Sequence, residues 1–157
     1  MTDVTALYEK YAASVFRFAL YLSGNRALAE DLTSETFVRA WTSAAPIQMA
    51  TVKGYLFTIA RHLYLQGLRK QTRHAVLPDD LPDPGASPYA RAAAKDEFSR
   101  VRDGLMRLPE IDRTALLMRA LDEMPYDEIS RALGISLASV KVKIHRARVA
   151  LGRLRGL

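Results

Sequence analysis

Hydrophobic residues in the first half of the chain recur at intervals of three and four, the period of an amphipathic α-helix. One stripe ends at Ser23-Gly24, Asn25 can cap a second helix, and Thr51 can cap a third. The three stripes contain Leu7, Tyr8, Tyr11, Val15, Phe18 and Leu22, then Leu28, Leu32, Val38 and Trp41, then Leu56, Ile59, Ala60, Leu63 and Leu68. They predict three helices around one core, in which Trp41 is expected to be buried.

The second half repeats this helical period. Ser87-Pro88 has the form of an N-cap followed by proline at the first helical position, and Pro109 closes that helix. Another helix follows, and Pro125 begins a short one. The expected apolar positions are Phe98, Val101, Leu105 and Leu108, then Ala115, Leu116 and Leu121, then Ile129, Ala132 and Leu133. These segments predict a second helical unit.

Residues 75–90 separate the two units and contain four of the seven prolines, three aspartates and no basic residue. Prolines prevent helix propagation, and the segment has little apolar surface to bury, so it is predicted to be a flexible linker. The fold class is therefore all-α, with two small helical domains. Their predicted bounds are 1–74, the linker 75–90, and 91–157.

Residues 125–154 have the pattern of a helix-turn-helix. The short helix ends at Gly134, Ile135 can fill the corner, and Ser136 can cap the next helix. The apolar side of that next helix carries Val140, Ile144, Ala147, Leu151 and Leu154, and its other faces carry Ser139, Lys141, Lys143, His145, Arg146 and Arg148. The pattern predicts a recognition helix for the DNA major groove, where lysine and arginine contact guanine edges or phosphates.

The positive charge is concentrated in two segments. Residues 53–74 contain five lysines and arginines and residues 136–157 contain six, and neither segment has an acidic residue. The rest of the chain holds 12 basic and 17 acidic residues, although the whole carries a net charge of +6. Two cationic segments indicate two contacts with a polyanion, and two solvated helix faces are the alternative interpretation.

The composition also excludes several classes of protein. The sequence has no cysteine and only three scattered histidines, which argues against disulfides, thiol nucleophiles and a metal site. No triad or phosphate loop is found, so neither an enzyme nor a cofactor is expected. No apolar run approaches the roughly 18 residues that a membrane span needs, and the N-terminus lacks the pattern of a signal peptide. A cytoplasmic protein is the expectation.

Three segments, in order, resemble one known family. DEISRALGISLASVKVKIHRARVAL (127–151) is similar to the DNA-binding helix-turn-helix of bacterial sigma-70 factors of the small extracytoplasmic-function (ECF) branch. AEDLTSETFVRAW (29–41) resembles the family's polymerase-binding helix, and KGYLFTIARHLYLQGLRKQTR (53–73) resembles its minus-ten helix. The resemblance implies a factor that binds core RNA polymerase and directs promoter-specific initiation.

The resemblance implies a polymerase contact at Asp31, Ser34 and Glu35, on the clamp helices of the largest subunit. An exposed acidic ridge suits arginines on a partner. As an alternative, Glu30 and Asp31 only favour the positive end of their own helix. Many relatives have glutamine at the position of Ser34.

For the minus-ten element, the resemblance implies contacts from Lys53, Tyr55, Arg61, Tyr64, Arg69 and Arg73. Aromatic rings that alternate with cations suit single-stranded DNA, because bases stack on the rings while lysine and arginine hold phosphates. Phe57 is expected in the core, and Tyr64 is left open between core and DNA. The loop 45–51 corresponds to the place where ECF relatives capture a flipped base. Gly67 departs from the family pattern and weakens the helix.

For the minus-thirty-five element, the implied contacts are Ser139, Lys141, Lys143, His145 and Arg146, with Arg148 on a phosphate. Val142 stands where a small polar residue is usual. It is expected either to contact a thymine methyl group or to face a neighbouring helix.

The implied partners are the clamp helices and the flap of core RNA polymerase, promoter DNA and an anti-sigma factor. Two other interpretations remain. A stand-alone helix-turn-helix regulator explains only residues 109–155, and a protein-interaction module would bind a regulator without supporting transcription.

Overall fold

The computed structural model describes residues 4–43, 51–73 and 97–155, which form seven helices and no strand. The helices are α1 (Val4–Ser23), α2 (Arg26–Thr42), α3 (Val52–Arg73), α4 (Glu97–Arg107), α5 (Glu110–Asp122), α6 (Tyr126–Leu133) and α7 (Leu137–Arg155). The all-α class is thus confirmed. The predicted linker, the Ser87-Pro88 cap and most of the loop 45–51 lie outside the described residues.

Local capping fixes the starts of α2 and α3, as the sequence predicts. Asn25 Oδ1 accepts a hydrogen bond from the backbone N–H of Leu28 at 3.0 Å. Thr51 Oγ1 accepts one from the N–H of Gly54, also at 3.0 Å. Gly24 has a φ of +68°, a left-handed conformation that lets the chain turn sharply between α1 and α2.

Helices α1, α2 and α3 pack against one another around a core of aromatic and aliphatic side chains. The rings of Phe18 and Phe57 stack with their centroids 4.4 Å apart, and Val15, Leu22 and Leu56 are fully buried beside them. The expectation that Phe57 belongs to the core is confirmed. This stack joins α1 to α3 and holds the cationic α3 in a fixed orientation.

The predicted burial of Trp41 is wrong, because the residue is 69% exposed. The buried face of α2 contains two threonines, Thr33 and Thr36, whose hydroxyls donate to the carbonyls of the preceding turn. That face continues to Ala40, and Trp41 lies about 100° further around the helix. A stripe chosen by hydrophobicity alone therefore had the wrong phase, and Val38 is exposed for the same reason.

Helices α4 to α7 form the second unit, in which α5 packs against α7 and α6. Its core contains Leu116, Met118, Ile129, Val140 and Ile144. The stripe expected on α4 is only partly buried. Its second half, Leu105 and Leu108, is in the core, whereas Phe98 and Val101 are exposed.

The turn between α6 and α7 has the geometry of a helix-turn-helix. Gly134 has a φ of +68°, and its N–H donates to the carbonyl of Ser130 at 2.9 Å. Ser136 Oγ then accepts a hydrogen bond from the N–H of Ser139 at 3.1 Å, which caps α7. Both of these local features were predicted from the sequence.

The two helical units also contact each other, which the pattern of the sequence does not predict. Helix α1 packs against α4 and α5, and α3 packs against α5 and α6. The Tyr21 and Phe98 rings meet across this boundary with their centroids 5.6 Å apart. The contacts of α3 bring its cationic side to the second unit.

Candidate nucleic-acid and polymerase interfaces

Helix α7 presents a basic surface opposite its buried side. Val140, Ile144 and Ala147 face the core, whereas Lys141, His145 and Arg148 are exposed. Ser139 and Lys143 are half-buried at the edges of this surface. Val142 is 55% exposed, so its side chain is accessible on this surface, and a contact with a thymine methyl group stays a prediction. The exposed surface has the charge and shape that suit a DNA groove.

Arg146 differs from its basic neighbours because an acidic partner holds it. Its Nη2 lies 3.0 and 3.2 Å from the two carboxylate oxygens of Asp112 on α5. The Asp112 side chain is only 4% exposed, while that of Arg146 is 57% exposed. This ion pair fixes the recognition helix to α5, and part of the guanidinium still faces outward.

Three of the six residues expected at the minus-ten element face the second unit. Lys53 Nζ lies 2.9 Å from Asp122 Oδ1. Arg61 donates from Nε and Nη2 to the two oxygens of Glu110, at 2.7 and 3.1 Å. The buried Tyr64 hydroxyl accepts a hydrogen bond at 3.2 Å from Arg113, itself a buried residue of α5. In this arrangement the surface of α3 that carries these three residues is covered.

The other three lie away from this contact. Tyr55 is half-buried and lines an open cavity of about 330 Å³ between the end of α2 and α3, and Arg69 is exposed. The side chain of Arg73 lies outside the described residues. His62, also in the cavity wall, has its pKa lowered by burial and by the charge of Arg61. The imidazole is therefore kept neutral over a wider pH range than usual.

The expected polymerase contacts share the exposed side of α2. Asp31, Ser34 and Glu35 are all exposed, and Glu35 Oε1 lies 3.6 Å from Nε of Arg39 one turn later. Ser34 also lines an open groove of about 350 Å³ between α1 and α2. An exposed ion pair of this kind contributes at most about 1 kcal/mol, so both groups remain available to a partner.

Several residues important to these surfaces are missed by sequence reasoning. Trp41 adds a large exposed ring to the α2 surface, although the hydrophobic pattern assigns this residue to the core. Glu110, Asp122 and Glu128 bind α3 from the second unit. Their positions follow only from the packing of the two units. Burial alone would raise the pKa of Glu110, but hydrogen bonds from Arg61 and Thr114 and the nearby guanidinium charges lower it overall.

No helix in the described ranges is long and apolar enough to cross a membrane. Within the same ranges, no group of three acidic or histidine side chains could hold a metal ion.

Comparison with known proteins identifies both units. Residues 7–74 match the family model for sigma-70 region 2, and residues 98–151 match that for sigma-70 region 4. The chain is 33% identical over 153 residues to the ECF RNA polymerase sigma factor SigM of Bacillus subtilis, covering 96% of this chain and 94% of that protein.

A second relative is longer. The chain is 34% identical over 150 residues to the ECF RNA polymerase sigma factor SigE of Mycolicibacterium smegmatis, covering 92% of this chain but only 58% of that protein. The fold also matches that of the sigma factor RpoE from Bartonella quintana, which was solved in complex with the anti-sigma factor NepR. That match has a TM-score of 0.80 at 21% identity, covering 100% of this chain and 99% of the other.

Proposed function

The chain belongs to the sigma-70 family of RNA polymerase sigma factors, in its ECF branch, and we propose on this basis that it binds core RNA polymerase and directs initiation at specific promoters. Members of this family are initiation factors and not enzymes. The observation that best supports the proposal is the presence of both sigma regions, in order, on a chain whose recognition helix exposes a basic surface.

The three domain segments have separate proposed tasks. Residues 1–74 bind the polymerase clamp and read and melt the minus-ten element, 75–90 form the linker, and 91–157 read the minus-thirty-five element. On α7 we assign base and phosphate contacts to Ser139, Lys141, Lys143, His145 and Arg148, because each of them is exposed or half-buried. Arg146 contributes mainly by fixing α7 to Asp112, with its exposed edge available to a phosphate.

The minus-ten contacts are assigned to Lys53, Tyr55, Arg61, Tyr64, Arg69 and Arg73. The covered members of this set, Lys53, Arg61 and Tyr64, would become available once the two units separate. The polymerase contact is assigned to Asp31, Ser34 and Glu35, with Trp41 added because its ring is exposed beside them on α2.

The proposed partners are core RNA polymerase, through its clamp helices and flap, and promoter DNA. The Bartonella quintana sigma factor was solved with an anti-sigma factor, and we expect a regulator of the same class for this chain. The proposed place of action is the cytoplasm, at the nucleoid when the chain is part of the holoenzyme.

Run-off transcription with purified core polymerase over genomic fragments tests the proposal. Addition of the chain should produce discrete transcripts that core enzyme alone does not make. The double variant Lys141→Ala/Arg148→Ala should abolish these transcripts and keep polymerase binding, because both side chains are exposed and outside the core. Arg107→Ala removes an exposed cation from the same unit and serves as the control.

Two outcomes would contradict the proposal. If the chain neither co-elutes with core polymerase nor yields a transcript, it is not a sigma factor. If it binds duplex DNA specifically in a gel shift and polymerase has no effect, it is instead a stand-alone regulator.

A further inference from the structure

One basic residue of the recognition helix differs from the others, because an acidic side chain binds it from the neighbouring helix. Arg146 Nη2 lies 3.0 and 3.2 Å from the two carboxylate oxygens of Asp112, near the start of α5. Among the described residues, no other cation of α7 has an acidic partner. The Arg146 side chain is nevertheless 57% exposed, so it also belongs to the surface assigned to DNA.

The packing of α5 against α7 does not require this acidic partner. The two helices already contact each other, and the α7 side of the core consists of the buried apolar residues Val140, Ile144 and Ala147. Asp112 is only 3% exposed, and a buried charge costs free energy unless a partner compensates it. An apolar residue of similar size avoids that cost. What Asp112 adds to the contact is therefore its charge.

The ion pair is supported from both sides of the carboxylate. Asp112 lies in the first turn of α5, where the positive end of the helix dipole favours an anion. Both carboxylate oxygens contact the same nitrogen of Arg146, so the negative charge is directed at the guanidinium. The position of Asp112 thus holds a negative charge next to one chosen cation of α7.

This partner limits the ways in which Arg146 can bind DNA. A guanidinium has two edges that each present a pair of donors, and Nη2 belongs to both edges. The bond from Nη2 to Asp112 therefore leaves at most one such edge for a base or a phosphate. Because a rotation of the side chain would break the ion pair, the remaining donors keep one direction. Asp112 in this way determines the orientation of Arg146.

The carboxylate also reduces the attraction of Arg146 for phosphates in general. A negative charge 3.0 Å from the guanidinium compensates much of its field, so a phosphate is attracted less strongly than by a free arginine. Attraction to phosphates supplies the sequence-independent part of DNA affinity, and binding to the many other sites of a genome competes with binding to the specific site. Lys141 and Arg148 retain the full attraction, whereas Arg146 adds a directed contact with less affinity for arbitrary DNA.

We propose that Asp112 is a positioning residue that raises promoter selectivity through Arg146, by orienting the guanidinium and by weakening its binding to arbitrary DNA. The inference rests on the proposed function in taking α7 as the helix that reads promoter DNA. Asp112 is buried and acts only through Arg146. Removal of its charge is accordingly expected to make the chain bind all DNA sequences more tightly and less selectively.

The salt dependence of binding to a random-sequence DNA duplex tests this effect on the full chain, in which the α7 surface is exposed. Fluorescence anisotropy of a labelled duplex gives the association constant at a series of NaCl concentrations. Asp112→Asn removes the charge and keeps an oxygen that can accept from Arg146. Asp112→Ser removes the same charge with a smaller side chain, so the result does not depend on the folding of one variant.

Two controls separate this effect from a general change in charge. Asp103→Asn neutralises an exposed acid of α4 and changes the net charge equally. The double variant Asp112→Asn/Arg146→Gln removes both charges of the pair and leaves no unpaired charge at the site. Circular dichroism checks that each variant is folded.

Both single variants at Asp112 should steepen the plot of log association constant against log salt by about 0.9, the value for one additional phosphate contact. Each tenfold dilution of salt should then raise their affinity about eightfold more than that of the wild type. Asp103→Asn and the double variant should keep the wild-type slope, because neither releases a further cation. In run-off transcription, random-sequence duplex should suppress the promoter transcripts of Asp112→Asn holoenzyme at a lower concentration than those of the wild type.

A purely structural role for Asp112 predicts the opposite result, namely weaker DNA binding with an unchanged slope, because α7 would only be held less firmly. That result, or an equal steepening in Asp103→Asn or in the double variant, would overturn the proposal. Run-off transcription by the wild type keeps the test separate from the proposed function. A wild type that transcribes while the slopes stay equal refutes the role of Asp112 alone. A wild type that never transcribes refutes the sigma assignment, whatever the slopes are.

Discussion

Gly54→Ala should open the two units and, at the same time, stabilise the helix on which it lies. The added Cβ would meet Glu128 Oε1 at 2.6 Å, Thr51 Oγ1 at 3.0 Å and Met124 Cε at 3.3 Å. The Thr51 and Met124 atoms can move by a few tenths of an ångström. The Glu128 carboxylate oxygen is the far end of a flexible side chain, but it must move the furthest of the three atoms, and we expect that movement to break both of its hydrogen bonds to Thr51.

The two consequences act on different equilibria. Hydrogen bonds to a charged group contribute about 1.5–3 kcal/mol each, so loss of both from the closed state costs about 3 kcal/mol even at the low end. This corresponds to a rise in the open-to-closed ratio on the order of a hundredfold. Replacing glycine by alanine within a helix gains up to about 1 kcal/mol, but the gain is common to both states and leaves that ratio unchanged.

The matched control is Gly67→Ala, in the same helix. A Cβ atom on Gly67 meets no atom within 4 Å, so this variant receives the helical gain without any clash. Spin-label distances in the full chain should show an open population for Gly54→Ala and none for Gly67→Ala. Thermal unfolding should show the helical gain in Gly67→Ala as a modest rise in Tm.

A wild-type distance distribution in Gly54→Ala would refute the displacement of Glu128. Equal opening in Gly67→Ala would refute it as well, because the opening would then follow from helix propensity and not from displacement of Glu128. Tighter binding of single-stranded DNA by Gly54→Ala alone is the matching functional result.

Three further predictions concern other contacts. Acidification should open the units, because the pKa of Glu110 is lowered from its ordinary value of 4.5. The contact of Glu110 with Arg61 therefore stabilises the closed state fully above about pH 4.5 and is lost as the pH falls through the lowered pKa. Spin-label distances measured between pH 7 and 3 would show the opening. A distance distribution constant over that range would contradict it. Asp112→Asn should lower the free energy of unfolding by about 1.5–3 kcal/mol, because Arg146 loses the charged, buried carboxylate that it binds. Denaturant titration measures this change, and a value under about 0.5 kcal/mol would contradict the prediction. Trp41→Ala should weaken binding to core polymerase and alter stability by less than about 0.5 kcal/mol, since the ring is exposed, and unchanged affinity would remove Trp41 from the interface.

The parts of the fold that local chemistry determines could be predicted from the sequence. Asn25, Thr51 and Ser136 cap the helices that they were expected to cap, and Gly134 makes the left-handed turn before the recognition helix. Each of these features depends on atoms within a few residues, so the local sequence contains all the information required. The exposed basic surface of α7 follows from the same helical period.

The burial of individual residues on α2 is predicted less well, because it depends on which face of the helix packs against the core. Thr33 and Thr36 are polar but buried, because their hydroxyls bond to carbonyls of their own helix and need no water. This places the larger residues Val38 and Trp41 outside. An assignment from hydrophobicity alone favours the large side chains, and so it placed Trp41 in the core and missed part of the candidate polymerase surface.

Contacts between the two units lie beyond local pattern altogether, since Thr51 and Glu128 are 77 positions apart. Even so, the sequence contains one local sign of the contact. A threonine cap followed three residues later by glycine leaves the cap's own N–H without the acceptor that a capping box supplies within the helix. Glu128 Oε1 provides that acceptor, and it fits there because Gly54 has no side chain. A helix that begins with only half of a capping box can therefore indicate that an acidic residue from elsewhere in the chain supplies the other half. In this protein that acid is Glu128, on α6 of the second unit.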